Sequence, residues 1–171
     1  MVLRIFSALS GIGVLILLTL AILSGVSIIG RSLTAFGLGP VPGDFELVEA
    51  GTAFAVFCFL PLCHITRGHA SVGIFFDRFS GAVQKPVTVT CDLLMLLLWI
   101  LVTWRTGVQA NDYFNNGERT FILQFPVWWP VSACTFVGIL GCVGYLLKLL
   151  ESLGLIGELT DQAQNNLAEK H

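Results

Sequence analysis

Residues 40–80 read PVPGDFELVEAGTAFAVFCFLPLCHITRGHASVGIFFDRFS and contain the features that decide the fold. Two carboxylates, Glu46 and Glu49, stand one turn apart where an apolar run of helix length begins. A basic, histidine-containing turn follows the run, and a phenylalanine-rich stretch comes after it. An ordinary lipid-facing helix needs neither polar group. The stretch therefore predicts a membrane helix whose polar ends meet partners at defined depths.

The composition of the whole chain indicates an integral membrane protein. Of its 171 residues, 55% are hydrophobic and 12% are charged, whereas soluble domains carry roughly 25% charged residues. Such a chain has too few polar groups to cover its surface in water. The net charge of -2 gives no signature of nucleic-acid binding.

Four stretches are apolar and long enough to cross the hydrocarbon layer, which takes about 20 residues. They predict a single domain, residues 1–171, with four transmembrane helices. The first stretch outlasts the apolar region of a signal peptide, so we expect it to be retained as a helix. The expected spans are 11–29, 45–63, 87–108 and 131–150, followed by a polar tail over 151–171.

Basic residues are distributed unevenly between the two sides of the predicted membrane. Six lie on the side of the termini and the second connection, and three lie on the other side. Because cytoplasmic loops are enriched in Lys and Arg, both termini are expected in the cytoplasm, an N-in/C-in topology. Trp128 and Trp129 then fall in the outer aromatic belt, and Pro130 is expected at the first position of the fourth helix.

The second connection predicts an amphipathic helix over residues 70–80 that lies along the inner membrane surface. An apolar face beside charges is typical of a segment in the headgroup boundary, and here Asp77 and Arg78 supply the charges. The expected fold is thus an all-α integral membrane protein with four transmembrane helices plus this interfacial helix. Its apolar face has i, i+3, i+4, i+7 spacing: Val72, Phe75, Phe76 and Phe79.

Glu46 and Glu49 share a helix face at i, i+3 spacing. Carboxylates in a first turn favour the positive end of the helix dipole, and Asp44 is expected as the N-cap. Simple helix capping and contact with a cation on a partner subunit both fit this pattern. A proton or sodium relay fits less well, because the helix interior beyond the two residues lacks further ionisable groups.

Asp92 lies about a turn and a half inside the inner end of the third span. An acid at membrane depth is by default a functional hypothesis. Structural pairing is nevertheless the favoured interpretation, because basic side chains stand within reach on the same side: Lys85, Arg67 and Arg78.

Histidines and cysteines do not indicate a cofactor. His64 and His69 stand at one short connection, whereas a bis-histidine haem needs imidazoles that face each other across helices. The sequence Arg67-Gly68-His69 instead predicts a tight basic turn at the inner headgroup level. The five cysteines form no Cys-x-x-Cys pair and none lies in an outer connection, so neither a disulfide framework nor a thiol oxidoreductase is expected.

Short motifs mark the ends of the predicted spans. Together they resemble the small membrane subunit (DctQ-like, Q subunit) of tripartite ATP-independent periplasmic (TRAP) transporters. One departure is Ala70-Ser71, where that family often has a basic residue. The positions that carry the resemblance are Arg31, Gly43-Asp44-Phe45-Glu46, Arg67-Gly68-His69, Val72, Phe75-Phe76-Asp77-Arg78-Phe79 and Phe125-Pro126-Val127-Trp128.

The resemblance implies a function without a catalytic residue, metal or cofactor in this chain. Such subunits sit in the bacterial inner membrane and brace a large, multi-helix membrane subunit that carries an organic acid with sodium. A periplasmic substrate-binding protein delivers the substrate. Candidate contacts to a partner or to membrane lipids are Glu46, Glu49, Arg67, His69, Asp77, Arg78, Asp92 and Trp128.

One alternative stays open beside this interpretation. An autonomous four-helix transporter or channel, acting as a homo-oligomer, would need a polar residue near the middle of the membrane. The first span offers only Thr19, Ser24 and Ser27.

Overall fold

The computed structural model describes residues 2–34, 37–66 and 81–155, with the side chains of residues 2 and 81–83 left aside. Within these ranges the chain forms four α-helices and no β-strand. All four helices are long and apolar enough to cross a membrane, which confirms the predicted all-α membrane fold. The interfacial helix predicted over 70–80 lies outside the described residues. The helices are α1 (Val2–Ser32), α2 (Asp44–Ile65), α3 (Gly81–Asn116) and α4 (Trp128–Ser152).

The two ends of the bundle are named here by their connections. The upper end holds the α1–α2 and α3–α4 connections, and the lower end holds the beginning of α1 and the ends of α2 and α4. The sequence predicts that the upper end faces outward. Large apolar side chains cover the outside of the bundle along its length, as the lipid-facing surface of a membrane protein requires.

The third helix is longer than the sequence suggested. It continues about two turns past Val108, because its polar last residues lie beyond the apolar span, where Gln109 Nε2 donates a hydrogen bond to the Tyr113 hydroxyl (2.9 Å). The helix ends where Gly117 adopts a left-handed conformation with φ of 65°. The Glu118 N–H then donates to the Tyr113 carbonyl (3.3 Å), which is the Schellman arrangement at a helix C-terminus.

The fourth helix begins earlier than expected. Its first residue is Trp128 and its N-cap is Val127, so Pro130 occupies the third helical position rather than the first. The physical reason for the correction is that any of the first N–H groups of a helix lacks an intrahelical acceptor. Proline therefore fits the third position without loss of a hydrogen bond.

The core forms where α4 packs between α2 and α3, while α1 packs chiefly on α2. Trp99 of α3 is buried against two glycines of α4, and its indole N–H donates to the Gly138 carbonyl (2.9 Å). A Cβ atom added at Gly141 would lie 2.6 Å from the same indole nitrogen. Gly141 thus leaves the space for the ring of Trp99, and Gly138 supplies the carbonyl that binds it, so the ring joins α3 to α4.

Candidate functional site

Glu46, in the first turn of α2, is the centre of the upper polar site. Its carboxylate accepts hydrogen bonds from the backbone N–H groups of Ile122 (2.5 Å) and Leu123 (3.0 Å). Hydrogen bonds to an ionised acceptor are roughly twice as strong as those between neutral groups. Glu46 therefore fixes the tip of the α3–α4 connection to the beginning of α2, although the two lie far apart in sequence.

The α3–α4 connection, residues 117–127, folds back on itself and is called the upper hairpin here. The Thr120 N–H donates to the Phe125 carbonyl (2.9 Å), and the Phe125 N–H donates to the Thr120 hydroxyl (3.1 Å). Gln124 completes the reversal with φ of 54°, a left-handed value that is uncommon outside glycine. The reversal directs the amides at the tip toward Glu46.

Packing strengthens the same contact at Gly43, the N-cap residue of α2. Gly43 has φ of 76°, and a Cβ atom there would lie 2.4 Å from Cγ of Leu123. A larger residue would therefore strain the backbone and displace the upper hairpin. Leu123 is held both by its amide, on Glu46, and by its side chain, on Gly43.

Asp44 is not the N-cap that the sequence predicted. Gly43 holds that position and Asp44 is the first helical residue. The Asp44 carboxylate instead accepts hydrogen bonds from the Ser27 hydroxyl and the Phe45 N–H (2.9 Å). Since Arg31 Nη2 also lies 3.9 Å from this carboxylate, Asp44 joins the end of α1 to the beginning of α2.

Glu49 and Trp128 complete the upper candidates. Glu49 lies one turn beyond Glu46 and is exposed; it makes no hydrogen bond or ion pair with another residue in the described ranges. Trp128 meets the ring of Phe114 edge-on, with centroids 5.3 Å apart, and the ring of Trp129 at 6.0 Å. The contact of either residue with a partner or with lipid stays a prediction.

Asp92 is the centre of the lower polar site. It is 4% exposed, and its two carboxylate oxygens face different helices. The Ser152 hydroxyl of α4 donates to one oxygen, and His64 Nε2 of α2 lies 3.7 Å from the other. Asp92 thus links α2, α3 and α4 at a common depth. Of its suggested basic partners, Arg67 and Arg78 lie outside the described residues, and the exposed Lys85 forms no ion pair with Asp92.

A column of stacked rings rises from this site into the core. His64 stacks on Tyr145, with centroids 4.2 Å apart and planes 14° apart. Tyr145 stacks in turn on Trp99 at 5.1 Å and 15°. Ring pairs in such geometry add about 0.5–1.5 kcal/mol each beyond the area they bury. The column therefore holds the imidazole of His64 at a fixed position beside Asp92.

Lys148 of α4 forms an ion pair nearby. It is fully buried, and its Nζ donates to Glu151 Oε1 at 2.8 Å. Lys148 is one of the six basic residues that the sequence places on the side of the termini, where it was expected at the inner surface. In the structure its charge is instead held inside the bundle, where removal of one partner leaves the other uncompensated.

No sequence motif predicted a site role for His64, Tyr145 or Ser152. A signal existed for His64, because it stands at the inner end of the second span, at the same predicted depth as Asp92. The hairpin contacts of Glu46 had no such signal, since they depend on backbone amides that any sequence possesses. Four other candidates lie outside the described residues: Arg67, His69, Asp77 and Arg78.

The described residues offer structural linkage rather than a group with obvious chemistry. Among them, no three His, Cys, Asp or Glu side chains are grouped as a metal site requires. All five cysteines lie in the described helices and none is joined in a disulfide. The arrangement can hold helices and the upper hairpin in fixed relative positions.

Comparison with protein families identifies the family of this chain. The family model of the DctQ component of tripartite ATP-independent periplasmic transporters matches residues 20–154. No curated protein and no solved structure matches the chain. The matched residues include both polar sites, the last part of α1 and the whole of α2, α3 and α4.

Proposed function

Because the chain belongs to the DctQ-component family of tripartite ATP-independent periplasmic transporters, we propose that it is the small, non-catalytic membrane subunit of such a transporter. In this proposal a large membrane subunit carries an organic acid together with sodium ions, and a periplasmic binding protein delivers the substrate. The present chain braces the large subunit in the inner membrane. Sodium then binds in the large subunit rather than here.

The distribution of charge along the helices is the observation that supports this role. In each helix the charged residues and histidine stand toward the ends, and the central turns contain only uncharged residues. Secondary transporters bind substrate and coupling ions near the bilayer midplane, with polar or broken-helix groups. A chain with uncharged central turns fits a supporting subunit better than an autonomous pathway.

Rigidity at both ends of the bundle is the second support. At the upper end Glu46 fixes the hairpin to α2, and at the lower end Asp92 joins three helices. A brace must keep its shape while a neighbouring subunit moves. Polar contacts at both ends supply that property, and neither requires a ligand.

The proposal includes an orientation. The lower end faces the cytoplasm and the upper hairpin faces the periplasm, since most Lys and Arg residues outside the spans belong to the lower side. The upper hairpin is then on the side where a periplasmic binding protein arrives.

Assembly is the property that tests the proposal. The affinity-tagged chain is expressed in bacterial membranes with the large TRAP subunit of the same organism, and the complex is isolated in mild detergent. We expect the two subunits to elute together at a constant ratio, while a tagged, unrelated four-helix membrane protein retains no large subunit. If the chain elutes alone as a stable homo-oligomer, the proposal is wrong and an autonomous homo-oligomeric transporter or channel is favoured instead.

A further inference from the structure

The upper half of the bundle contains an open cavity that the polar sites do not fill. It has a volume of about 570 Å³ and lies between α2 and α3, with the first turns of α4 as its floor. The upper hairpin forms its roof. We call this cavity the upper crevice. Ligand sites in proteins commonly have volumes of about 300–1,000 Å³, so the crevice is large enough for a long side chain and its surroundings.

The crevice exists because α2 and α3 both pack on α4 but only weakly on each other. Lower in the bundle, rings close the gap between them, as Phe57 of α2 meets Trp99 of α3 with centroids 5.4 Å apart. Above Phe57 the α2 residues that line the gap include Ala50 and Ala53, which are too small to reach α3. The gap is therefore specified by the sequence of α2.

The charged residues that line the crevice are all acidic. Three carboxylates line it, those of Glu46, Glu49 and Glu118, and no Lys, Arg or His is among the lining residues. Glu46 is satisfied by the amides of the upper hairpin. Glu49 and Glu118 make no side-chain hydrogen bond or ion pair with any described residue. Both side chains are exposed, so their charges are accessible to a cation that enters the crevice.

The charge also selects between possible occupants. A phospholipid would bring a phosphate against three carboxylates, and like charges repel each other. A basic side chain has the complementary charge, and its aliphatic stem suits the apolar floor that Val131 and Cys134 contribute. Because the crevice lies between two spanning helices, a segment that packs beside the bundle in the membrane can reach it.

We propose that the upper crevice receives a lysine or arginine side chain from a membrane-embedded segment of the large subunit, with Glu49 and Glu118 as the acceptors. This inference rests on the proposed function and adds to it the place and chemistry of one subunit contact. The upper hairpin is then a structural roof that Glu46 holds above the incoming side chain.

Two variants of the full chain, each co-expressed with the large subunit, test the contact. The first carries Glu49→Gln and Glu118→Gln, which keep the shape of the crevice and remove its free charges. The matched control is Asp112→Asn, on an exposed residue of α3 that does not line the crevice. The measurement is the affinity of each purified variant for the large subunit in detergent, at low and at high salt.

We expect the double variant to bind at least about tenfold more weakly than the wild type at low salt, with a reduced dependence on salt. The control should match the wild type. Equal affinity of the double variant and the control would overturn the inference while leaving the proposed function intact. If the wild-type chain itself does not bind the large subunit, the proposed function fails as well.

A photo-crosslinking residue at Gln109, on the rim of the crevice, identifies the occupant directly in membranes. The expected adduct joins the chain to a peptide of the large subunit that contains Lys or Arg. A probe at Leu97, on the exposed apolar face of α3, serves as the control and should not give that adduct. Adducts at Gln109 only with lipid, or only with a second copy of this chain, would contradict the inference.

Discussion

Leu123 and Glu46 are joined by a hydrogen bond from the Leu123 backbone N–H to the Glu46 carboxylate at 3.0 Å. The bond connects the tip of the upper hairpin to the first turn of α2. Together with the packing of Leu123 on Gly43, it ties this surface connection to the helix bundle. The same carboxylate was a candidate partner contact in the sequence, and the structure shows that it already has donors within the chain.

We predict that Glu46→Ala releases the upper hairpin without preventing membrane insertion. The amides of Ile122 and Leu123 lose their acceptor, so their hydrogen exchange in detergent should be at least several-fold faster. Glu49→Ala is the matched control, because it removes a carboxylate one turn away that does not bond the hairpin. Equal exchange in the two variants would show that Glu46 does not hold the hairpin.

The lower site predicts a measurable contribution to stability from Asp92. Asp92→Ala removes the buried carboxylate that accepts a hydrogen bond from the Ser152 hydroxyl and lies 3.7 Å from His64 Nε2. The expected loss is about 2 kcal/mol, seen as a lower midpoint of thermal unfolding in detergent. Asp112→Ala, at an exposed position of the same helix, should leave the midpoint unchanged. An unchanged midpoint for Asp92→Ala would contradict the role assigned to this site.

Gly141 tests the packing of α3 on α4. In Gly141→Ala the new methyl group would meet the indole of Trp99, so the ring must shift or the helices must separate. Overpacking of this kind costs about 1–3 kcal/mol. Gly11→Ala is the control, because a Cβ at that position has no neighbour within 4 Å. The assignment is wrong if Gly141→Ala unfolds at the same temperature as Gly11→Ala.

The proposed orientation can be tested with reporters at the two sides. Green fluorescent protein fused after His171 should fluoresce, because it folds in the cytoplasm, and alkaline phosphatase fused at the same place should be inactive. Alkaline phosphatase inserted in the upper hairpin after Gly117 should be active. The reverse pattern of activities would place the upper end in the cytoplasm.

The existence of the four helices could be predicted from the sequence because the membrane imposes a strong local signal. An apolar stretch of spanning length must satisfy its own backbone hydrogen bonds, so it forms a helix whatever its neighbours are. The helix ends were harder to predict. Polar and capping groups decide where α3 ends beyond Val108 and where α4 begins near Pro130. Several such end points are compatible with the same composition.

The candidate site was predicted in part, for a different physical reason. The rarity of acids in spans drew attention to Glu46, Glu49 and Asp92, but not to their partners. Glu46 binds amides of a distant connection, and Asp92 meets His64 across a helix interface. Such pairings depend on how the helices rotate against one another, and a single sequence does not encode that rotation locally.

Transport by reconstituted components tests the central claim most directly. Proteoliposomes are prepared with the large subunit, with this chain, or with both, and uptake of labelled organic acids is measured with the binding protein present and a sodium gradient imposed. The account predicts uptake only when both membrane subunits are present, and none by this chain alone. Uptake by this chain alone, or undiminished uptake when it is omitted, would contradict the account.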